Sequence, residues 1–444
     1  MSHYAQEISR KINQLSADDD EYWAFKGRAK REHCHALLAY PAMMIPEMQG
    51  ELIDILLEYH PKAQTVFDPF VGSGTVLGES LLRGMNFVGN DINPLAILSC
   101  EVKSDYFDIK TLEESLKELR NVITSPCFKY KKHSFKNIDK WFLPEVVESL
   151  SKIRSAILLE PRDWCRRFYW LALSETVRKF CNSRSSTYKL HIKAEDSIAV
   201  ESDPIDFFCD KVKSNIRLKN DLWKSLESKG FVVRGKVSRC VSLFSNDVLK
   251  KNSRLDQVAD LVVTSPPYGD NGTTVTYGQY SYLQLCWIST EDLRTPFDKS
   301  LLATQSSIDT ASLGGSKKDW QEKGAMLCSL SKEAECIFRD LKKIGKGGEK
   351  RFVAFCYDFY ESLISMDLSL KPGGYALLTL GNRSINGKQV PLDKVCKELL
   401  EKLGMEEVIL FERKIPNKRM ATRNNISSTM RAESILIVHK PVVG

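Results

Sequence analysis

Two polar stretches carry the residue types best suited to chemistry, and each one follows an apolar, β-prone run. The first reads Asp68-Pro69-Phe70-Val71-Gly72-Ser73-Gly74-Thr75 and follows residues 65–67, and the second reads Thr264-Ser265-Pro266-Pro267-Tyr268 and follows residues 260–263. Open α/β sheets hold ligands in loops at the carboxyl ends of buried strands. Two such loops lying side by side would hold two ligands together, which is the geometry of a group transfer.

The glycines of the first stretch predict a tight turn that brings the backbone close to a ligand. Ser73 and Thr75 suit the start of a helix, predicted over residues 76–83, whose free N–H groups point back at the loop. A second strand, predicted over residues 86–91, ends in Asp91. An acidic residue at the tip of the second strand, ~20 residues after the glycines, is the usual partner of ribose hydroxyls.

The spacing of these glycines differs from that of a dinucleotide-binding loop. The dinucleotide pattern is G-x-G-x-x-G, whereas Gly72-Ser73-Gly74 is followed by Thr75-Val76-Leu77 and only then by Gly78. The carboxylate of Asp68, at the end of the first strand, would repel a pyrophosphate and attract a cation. S-adenosylmethionine carries an ammonium and a sulfonium, so it fits this charge pattern better than NAD does. A glycine turn without a ligand is the alternative.

The second stretch is predicted to form a stiff loop that presents carbonyl groups. Pro266 and Pro267 fix the backbone φ angle and remove N–H donors, which suits a substrate that donates N–H bonds. Tyr268 offers a flat ring on which a base could stack, and Ser265 adds a hydroxyl. Acceptors that hold the exocyclic amino group of a base would free the nitrogen lone pair. Positioning of that nitrogen beside a methyl group would supply the rest of the catalytic effect. A proline turn that merely ends a strand is the alternative.

Together the two loops resemble the amino-methyltransferases of DNA, specifically the cytosine-N4 group of restriction-modification type, whose catalytic motif has this Ser-Pro-Pro-Tyr form. Adenine-N6 enzymes more often carry Asp or Asn at the position of Ser265. The resemblance implies a catalytic set and a set that binds S-adenosylmethionine. The catalytic set is Ser265, Pro266, Pro267 and Tyr268, and the cofactor set is Tyr40, Asp68, Pro69, Phe70, Gly72, Ser73, Gly74, Thr75, Asp91, Ile92, Asn246, Asp247 and Thr264.

The resemblance further implies an α/β fold of the Rossmann-like methyltransferase type, with a mixed, mostly parallel sheet, helices on both faces and a largely helical insertion. Residues 1–100 would begin the catalytic domain, residues 101–230 would be the insertion and a candidate DNA-recognition region, and residues 231–444 would complete the catalytic domain. A variable loop near residues 291–350 would lie over the substrate. The target cytosine would be flipped out of the duplex, because a stacked amino group cannot be reached.

Periodicity predicts the elements that would position the two loops. Residues 1–60 read as mainly helical, and the insertion reads as three helices. In Arg166-Arg167-Phe168-Tyr169-Trp170 the aromatic rings fit an apolar helical stripe better than a nucleic-acid contact. The predicted helices are 95–102, 112–123, 144–158, 164–180 and 352–370, and the further predicted strands are 237–244, 375–380 and a closing antiparallel pair at 408–411 and 434–438.

Double-stranded DNA is the expected partner, and basic residues outside the two loops are the expected contacts. The net charge of +7 mildly favours a polyanionic partner. Residues 413–432 form a basic run without an acid between the two closing strands, which favours phosphate binding. The predicted DNA contacts are Arg184, Lys189, Tyr277, Arg383, Lys418, Arg419 and Arg423.

Composition is that of a large globular protein of 444 residues, 43% of them hydrophobic, without a signal peptide or a membrane-length apolar run, so we expect it in the cytoplasm. The twelve cysteines show no Cys-x-x-Cys pair and read as reduced core thiols. His33-Cys34-His35 has no matching second ligand pair, so no metal is expected. A cognate restriction endonuclease is a candidate partner, and the oligomeric state stays open.

Several functions compete with cytosine-N4 methylation. The nearest is methylation of adenine N6 by the same scaffold, followed by an RNA amino-methyltransferase, which would be expected to carry an RNA-binding module. A DNA-binding protein without catalysis need not keep Ser265-Pro266-Pro267-Tyr268 intact. A dehydrogenase is disfavoured by the glycine spacing and by Asp68.

Overall fold

A computed structural model describes residues 3–19, 21–27, 32–184, 187–198, 202–248, 253–270, 275–415 and 432–442. No helix in this part of the chain combines the length and the apolar composition needed to cross a bilayer. The strands are β1 Thr65–Asp68, β2 Asn86–Asn90, β3 Val232–Val233, β4 Lys236–Val237, β5 Val241–Phe244, β6 Ala259–Thr264, β7 Leu370–Leu380, β8 Arg383–Ile385, β9 Lys388–Val390, β10 Glu406–Lys414 and β11 Ala432–His439.

A central sheet of seven strands, counted within the described ranges, has the order β10-β11-β7-β6-β1-β2-β5. The pairs from β7 to β5 are parallel, whereas β11 runs antiparallel to both β7 and β10. The chain moves outward from β1 to β2 on one side and resumes at β6 on the other. The carboxyl ends of β1 and β6 therefore flank the point where the strand order reverses, which is where sheets of this type bind ligands.

The helices are α1 His3–Asp18, α2 Pro46–Tyr59, α3 Thr75–Leu82, α4 Pro94–Ser104, α5 Ile109–Thr124, α6 Ile138–Trp141, α7 Pro144–Leu159, α8 Asp163–Phe180, α9 Pro204–Ser228, α10 Tyr277–Trp287, α11 Ser307–Ala311, α12 Trp320–Leu330, α13 Lys332–Ile344, α14 Gly348–Ser369 and α15 Leu392–Lys402. Short 3₁₀ turns lie at Tyr22–Ala24, His33–Ala36, Glu195–Ser197, Ser253–Leu255, Thr290–Asp292 and Lys299–Leu302.

Apolar side chains cover both faces of the sheet, because successive residues of a strand point to opposite sides. Val66, Leu261 and Val263 belong to one buried cluster, which also contains side chains of α2, α3 and α4. Phe67 and Val262 belong to a second cluster with side chains of α13, α14 and α15. Every residue of β6 is buried, as expected for a central parallel strand. The predicted Rossmann-like α/β fold with helices on both faces is confirmed.

The insertion is helical, as predicted, but it contains one long helix that was not among the predicted elements. Helix α9 spans 25 residues and begins at Pro204, directly after the capping residue Asp203, whose side chain accepts hydrogen bonds from two backbone N–H groups. Its start signal, Asp followed by Pro204, is visible in the sequence. The predicted burial of Phe168 and Trp170 is confirmed, with both side chains at most 1% exposed.

Arg166 and Arg167, which lie beside those aromatic rings in the sequence, form ion pairs within the protein rather than face solvent. Arg167 is buried and donates from Nε to Asp105 Oδ2 at 2.9 Å, and Arg166 donates to Asp292 at 2.9 Å. Pairing of this kind is required of a buried guanidinium. Neither side chain is therefore placed to contact nucleic acid.

Two further predictions were wrong in detail. Residues 291–350 are largely helical rather than a loop, because Ala334, Ile337 and Leu341 form an apolar stripe that is buried in the same core as α14. The strand predicted at 237–244 is divided: β4 ends at Val237 in a small antiparallel hairpin with β3, and β5 begins at Val241. The predicted antiparallel closing pair is confirmed by β10 and β11.

Candidate active site

The two polar stretches lie side by side at the carboxyl edge of the sheet. Strand β1 pairs with β6 through Val66 and Leu261 and through Phe67 and Val262. At the ends of the two strands, Thr264 Oγ1 donates a hydrogen bond to Asp68 Oδ1 at 2.6 Å. The first loop and the second loop are thus joined directly by a buried side-chain hydrogen bond.

The first loop depends on glycine at two positions. Gly72 and Gly74 have φ angles of +51° and +79°, in the left-handed region that favours glycine. A Cβ atom on Gly74 would lie 2.8 Å from the sulfur of Cys100, a contact that real structures do not show. Helix α4 therefore packs against the back of this loop, and α3 begins directly after it.

Two buried side chains of α4 hold the loop from behind. Ser99 Oγ donates to the carbonyl of Ser73 at 3.1 Å, and Lys103 Nζ donates to the carbonyl of Gly74 at 3.1 Å. Both side chains are at most 1% exposed. These supports could not be identified from the sequence, because nothing in a lysine on an apolar helix indicates which carbonyl it contacts.

Asp91, at the tip of β2, closes the loop on the other side. Its Oδ2 accepts from the N–H of Gly72 at 2.8 Å, and its Oδ1 accepts from the N–H of Asn93 at 2.9 Å. Burial raises the pKa of this carboxyl to about 6, although both backbone hydrogen bonds act to lower it. At neutral pH the group is an anion with further acceptor capacity, as a partner of ribose hydroxyls must be.

Asn93 links three segments of the site and was not among the predicted residues. Its Oδ1 accepts from the N–H of Leu95 and so caps α4. Its Nδ2 donates to Tyr40 OH at 3.0 Å and to Ser281 Oγ at 2.7 Å. The only signal in the sequence is the Asn-Pro pair, which predicts a helix start but not these distant partners.

Asp68 lies behind the loop and not on the surface of the cavity. It is fully buried, and its Oδ1 accepts from Thr264 and from the N–H of Phe70 at 3.0 Å. No described atom makes a hydrogen bond to its Oδ2. Burial raises the pKa of this carboxyl to about 7. A cation bound near it would favour the ionised form and compensate for the missing partner.

A cavity of about 860 Å³, counting its open mouth, lies between the two loops. The predicted residues in its wall are Tyr40, Pro69, Phe70, Gly72, Ser73, Thr75, Asp91, Ile92, Asn246, Asp247, Ser265 and Pro267. The predicted residues Asp68, Gly74, Thr264, Pro266 and Tyr268 stand behind or beside that wall. Wall residues outside the individually predicted cofactor set include Met43, Met44, Asn90, Asn93, Ile308 and Leu313.

Helix α11, which belongs to the region 291–350 that was predicted to lie over the substrate, forms one side of the cavity. Asp309 Oδ1 and Oδ2 accept from the N–H groups of Gly278 and Gln279, at 2.8 and 2.9 Å. These donors are the free N–H groups at the start of α10. A Cβ atom on Gly278 would lie 2.8 Å from the backbone nitrogen of Asp309, so the two elements are in close contact. Ile308 and Leu313 are thereby placed in the cavity wall.

The second loop forms a short hydrogen-bonded chain. Ser265 Oγ lies 3.0 Å from Tyr268 OH, and Tyr268 OH donates to Glu433 Oε1 at 3.1 Å. Arg413 donates from Nε to Glu433 Oε2 at 2.9 Å. Burial and the neighbouring Glu433 carboxylate raise the pKa of Tyr268 well above its usual range, so the phenol stays protonated. Glu433 and Arg413 come from the closing strands and were not predicted.

The predicted DNA contacts occupy different environments. Arg184 is exposed and Lys189 is partly exposed. Tyr277 lies in the cavity wall, with its ring stacked on Tyr40 at a centroid distance of 5.7 Å, and its contact with DNA stays a prediction. Arg383 is half-buried, and no described atom accepts a hydrogen bond from its Nε. Lys418, Arg419 and Arg423 lie outside the described residues.

Metal ligation has no support in the described ranges, where no group of three or more His, Cys, Asp or Glu side chains could hold an ion. His35 Nε2 is instead hydrogen-bonded to Glu79 at 2.9 Å, and Cys34 is fully buried. The cavity wall combines carboxylates at Asp91 and Asp247 with apolar side chains such as Met43, Met44 and Leu313. This set suits a ligand that has hydroxyl or cationic groups and a flat apolar ring.

Comparison with known proteins gives matches along nearly the whole chain. The chain is 30% identical to the type II methyltransferase M.MvaI of Kocuria varians, over 98% of this chain and 96% of that protein. It is 23% identical to the type II methyltransferase M.BsoBI of Geobacillus stearothermophilus, over 82% of this chain and 77% of that protein. A segment of 95 residues is 33% identical to the type II methyltransferase M.MjaII of Methanocaldococcus jannaschii, which is 21% of this chain and 17% of that protein.

No protein-family model matches the chain. Among solved structures, the rRNA methyltransferase aviRa of Streptomyces viridochromogenes aligns with 90% of this chain and 86% of its own, with a TM-score of 0.30 and 11% identity. That likeness is too weak to inform either fold or function. The full-length similarity to the Kocuria varians protein shows instead that this chain belongs to the type II methyltransferases, the DNA methyltransferases of restriction-modification systems, with S-adenosylmethionine as methyl donor.

Proposed function

We propose that the protein methylates the exocyclic N4 amino group of a cytosine that is flipped out of double-stranded DNA. The observation that carries this proposal is the position of the Ser265-Pro266-Pro267-Tyr268 loop. Ser265 and Pro267 line the same cavity as Gly72, Ser73 and Asp91. A base held by the second loop would therefore meet a methyl group held by the first loop, as direct transfer requires.

The second loop supplies acceptors for the amino group. The nitrogen lone pair of an exocyclic amine is delocalised into the ring, so it is a poor nucleophile until its hydrogens are held out of the ring plane. In our proposal Ser265 Oγ and the carbonyl of Pro266 hold those hydrogens, and the ring of Tyr268 stacks on the base. S-adenosylmethionine, when bound, would supply an electrophilic methyl group on its sulfonium. The amino nitrogen that takes up this methyl group would lose one of its two protons to water.

The first loop and its neighbours hold the cofactor in this proposal. Asp91 binds the ribose hydroxyls, since it lies in the wall and keeps free acceptor capacity. Asn246 and Asp247, at the end of β5, lie where the adenine ring would be bound. Tyr40, Phe70 and Ile92 provide wall contacts, whereas Asp68, Gly74 and Thr264 shape the loops from behind.

DNA contact is proposed for Arg184, Lys189 and Arg383, and for Lys418, Arg419 and Arg423 beyond the described ranges. The exposed guanidinium of Arg184 and the partly exposed Lys189 are free to meet phosphates. A cognate restriction endonuclease is proposed as a functional partner, in keeping with the family. The cytoplasmic location stays a prediction from the sequence.

Replacement of Ser265 and Tyr268 by alanine tests the role of the second loop. We expect Tyr268→Ala to cost about 1–3 kcal/mol of base stacking and the double variant to lose methyl transfer to DNA, with the affinity for S-adenosylmethionine retained. Transfer is measured with radiolabelled cofactor and affinity by calorimetry. Ser242→Ala, on an exposed position of β5, is the control. Full transfer by the double variant would overturn the proposal.

A further inference from the structure

The hydroxyl of Ser265 ends a chain of polar groups that reaches a buried ion pair. Tyr268 OH lies 3.0 Å from Ser265 Oγ and donates to Glu433 Oε1 at 3.1 Å. Glu433 in turn accepts hydrogen bonds from Nε and Nη2 of Arg413, with the Nε contact at 2.9 Å. The Arg413 side chain is 5% exposed and that of Glu433 is 15% exposed, so the pair is largely shielded from water.

Strand pairing places this ion pair beside the second loop. Arg413 lies on β10 and Glu433 on β11, directly opposite each other in the antiparallel register. Strand β11 pairs with β7, and β7 pairs with β6, which leads into Ser265. The pairing of the closing strands thus fixes the carboxylate relative to the second loop, and the guanidinium provides its charge partner.

The chemistry of these groups determines which oxygen carries which proton. An ionised carboxylate accepts hydrogen bonds only, and a phenol has one proton. Tyr268 OH must therefore donate its hydrogen bond to Glu433, and its oxygen is left as an acceptor towards Ser265. The contact between Ser265 and Tyr268 is then a bond in which Ser265 donates. With its proton used in this way, Ser265 Oγ presents lone pairs to the cavity that it lines.

We propose that Glu433, held by Arg413, is a positioning residue that directs the Ser265 proton towards Tyr268, so that the site accepts a base edge that donates N–H and rejects one that carries a carbonyl. This inference rests on the proposed function, because it gives the reason why an amino base is held there. Cytosine presents an amino group at the position where uracil and thymine present a carbonyl oxygen. The chain of hydrogen bonds therefore selects cytosine over these two bases.

The Glu433→Gln variant tests the inference, because a glutamine side chain has nearly the same shape and can donate as well as accept. A donating amide would let Tyr268 turn its proton towards Ser265 and let Ser265 donate into the cavity. The substrates are two duplexes that carry the site methylated by the wild-type protein, located by sequencing, with cytosine or uracil at the target position. We measure kcat and KM for the cytosine duplex, the affinity for both duplexes, and the affinity for S-adenosylmethionine.

We expect Glu433→Gln to lower kcat by about 10- to 100-fold and to reduce the preference for the cytosine duplex, with cofactor affinity unchanged. The Tyr268→Phe variant breaks the chain but leaves the Arg413–Glu433 pair intact, so it should show the same loss without unfolding. Glu412→Gln, a matched change at an exposed neighbour on β10, should behave like the wild type. Thermal unfolding of each variant separates a folding defect from a change in the site.

The failures of the two claims are distinguishable. If the wild-type protein forms no N4-methylcytosine, the proposed function is overturned, and this inference with it. If the wild-type protein forms N4-methylcytosine and both Glu433→Gln and Tyr268→Phe retain its kcat and its preference for cytosine over uracil, the inference alone is overturned. A loss of kcat with retained preference would likewise show that Glu433 does not set the proton arrangement.

Discussion

At the residue scale, Asp68 differs from what the sequence predicted for it. The sequence places a carboxylate at the mouth of β1, and the structure shows that carboxylate fully buried behind the loop. It joins the two loops through Thr264 and leaves Oδ2 without a partner among the described atoms. Asp68 therefore does not line the cavity wall, and its carboxylate would act on a cationic cofactor through its charge.

The affinity for S-adenosylmethionine should rise with pH between about 6 and 8. The carboxyls of Asp68 and Asp91 have pKa values of about 7 and about 6, so both lose their protons in this range. The cofactor is cationic and its ribose donates hydrogen bonds, so it binds the ionised forms better and its binding releases protons. Calorimetry at pH 6, 7 and 8 measures the trend.

Asp68→Asn is the informative variant, since it removes the group with the higher pKa and keeps the acceptor for Thr264. The rise in affinity for S-adenosylmethionine above pH 6.5 (about halfway between the two pKa values) should then be weaker. Asp54→Asn, on the surface of α2, is the control. An unchanged pH profile in Asp68→Asn would show that this carboxylate does not act on the cofactor.

Single residues could be identified from the sequence where their local pattern carries the chemistry. Ser265 and Pro267 line the cavity as the Ser-Pro-Pro-Tyr pattern indicated, and so do Gly72 and Asp91. Glu433 could not be identified, because 165 residues separate it from Tyr268 and only the pairing of β11 with β7 brings them together. Long-range contacts of this kind leave no periodic signal in the chain.

At the element scale, the first loop is a turn held between α3 and α4. The left-handed Gly74 caps α3, and Lys103 and Ser99 of α4 bind the carbonyls of the loop. Backbone N–H groups of the loop and of the first helical turn are thereby oriented before any ligand arrives. Such preorganisation lowers the entropic cost of binding.

Gly74→Ala should weaken both folding and cofactor binding. The substitution forces a non-glycine residue to φ +79° and places a methyl group 2.8 Å from Cys100 Sγ. We expect a loss of about 2–4 kcal/mol in the free energy of unfolding, measured in urea, and a weaker affinity for S-adenosylmethionine. Gly230→Ala is the matched control, since Gly230 has φ +73° but no atom within 4 Å of its added methyl group. Equal losses in both variants would contradict the close approach of α4.

Asp309→Ala should detach α11 from the start of α10. The carboxylate accepts from two backbone N–H groups and is 5% exposed, so its removal leaves both donors without this partner. We expect a loss of about 1–3 kcal/mol in the free energy of unfolding and a weaker affinity for the cofactor, because Ile308 and Leu313 leave the cavity wall. Asp298→Ala, at the start of a neighbouring 3₁₀ turn, is the control. Unchanged cofactor affinity in Asp309→Ala would show that α11 is not part of the site.

Helices and strands could be predicted where the chain has a long enough segment with a clear apolar pattern. Strands β1, β2, β6 and β7 and the antiparallel closing pair were predicted because buried strands read as short apolar runs. Helices α12 and α13 were missed because lysines and glycines dominate their surroundings, although Ile337 and Leu341 reveal the helical period. The packing of α11 on α10 is a tertiary contact, which a local pattern does not encode.

At the scale of the whole molecule, the insertion shares a hydrophobic core with the central sheet. Its aromatic side chains Trp170, Phe208 and Trp223 belong to the same buried cluster as the strand residues Val66 and Leu261. Lys219 of α9, which is fully buried, donates to the carbonyls of Val102 at 2.6 Å and Asp105 at 3.0 Å, at the end of α4. Burial lowers the pKa of Lys219 to about 7.

A series of hydrogen bonds extends from the insertion to the first loop. Helix α9 satisfies carbonyls that the end of α4 would otherwise leave unpaired, and α4 binds the loop through Lys103. The division of the chain into an insertion and a catalytic domain therefore describes the order of the sequence rather than two independent bodies. Recognition of the DNA sequence by the insertion stays a prediction.

The identity of the methylated base decides whether this protein is a cytosine-N4 methyltransferase. The purified protein is incubated with unmethylated DNA and S-adenosylmethionine, the DNA is digested, and the modified nucleosides are identified by mass spectrometry. A reaction without cofactor is the control. We predict N4-methylcytosine, since the Ser265 loop faces the cofactor cavity. N6-methyladenine would agree with methyl transfer in the shared cavity but contradict the assignment of cytosine as the target. The absence of a modified base on any DNA would contradict DNA methylation by this protein.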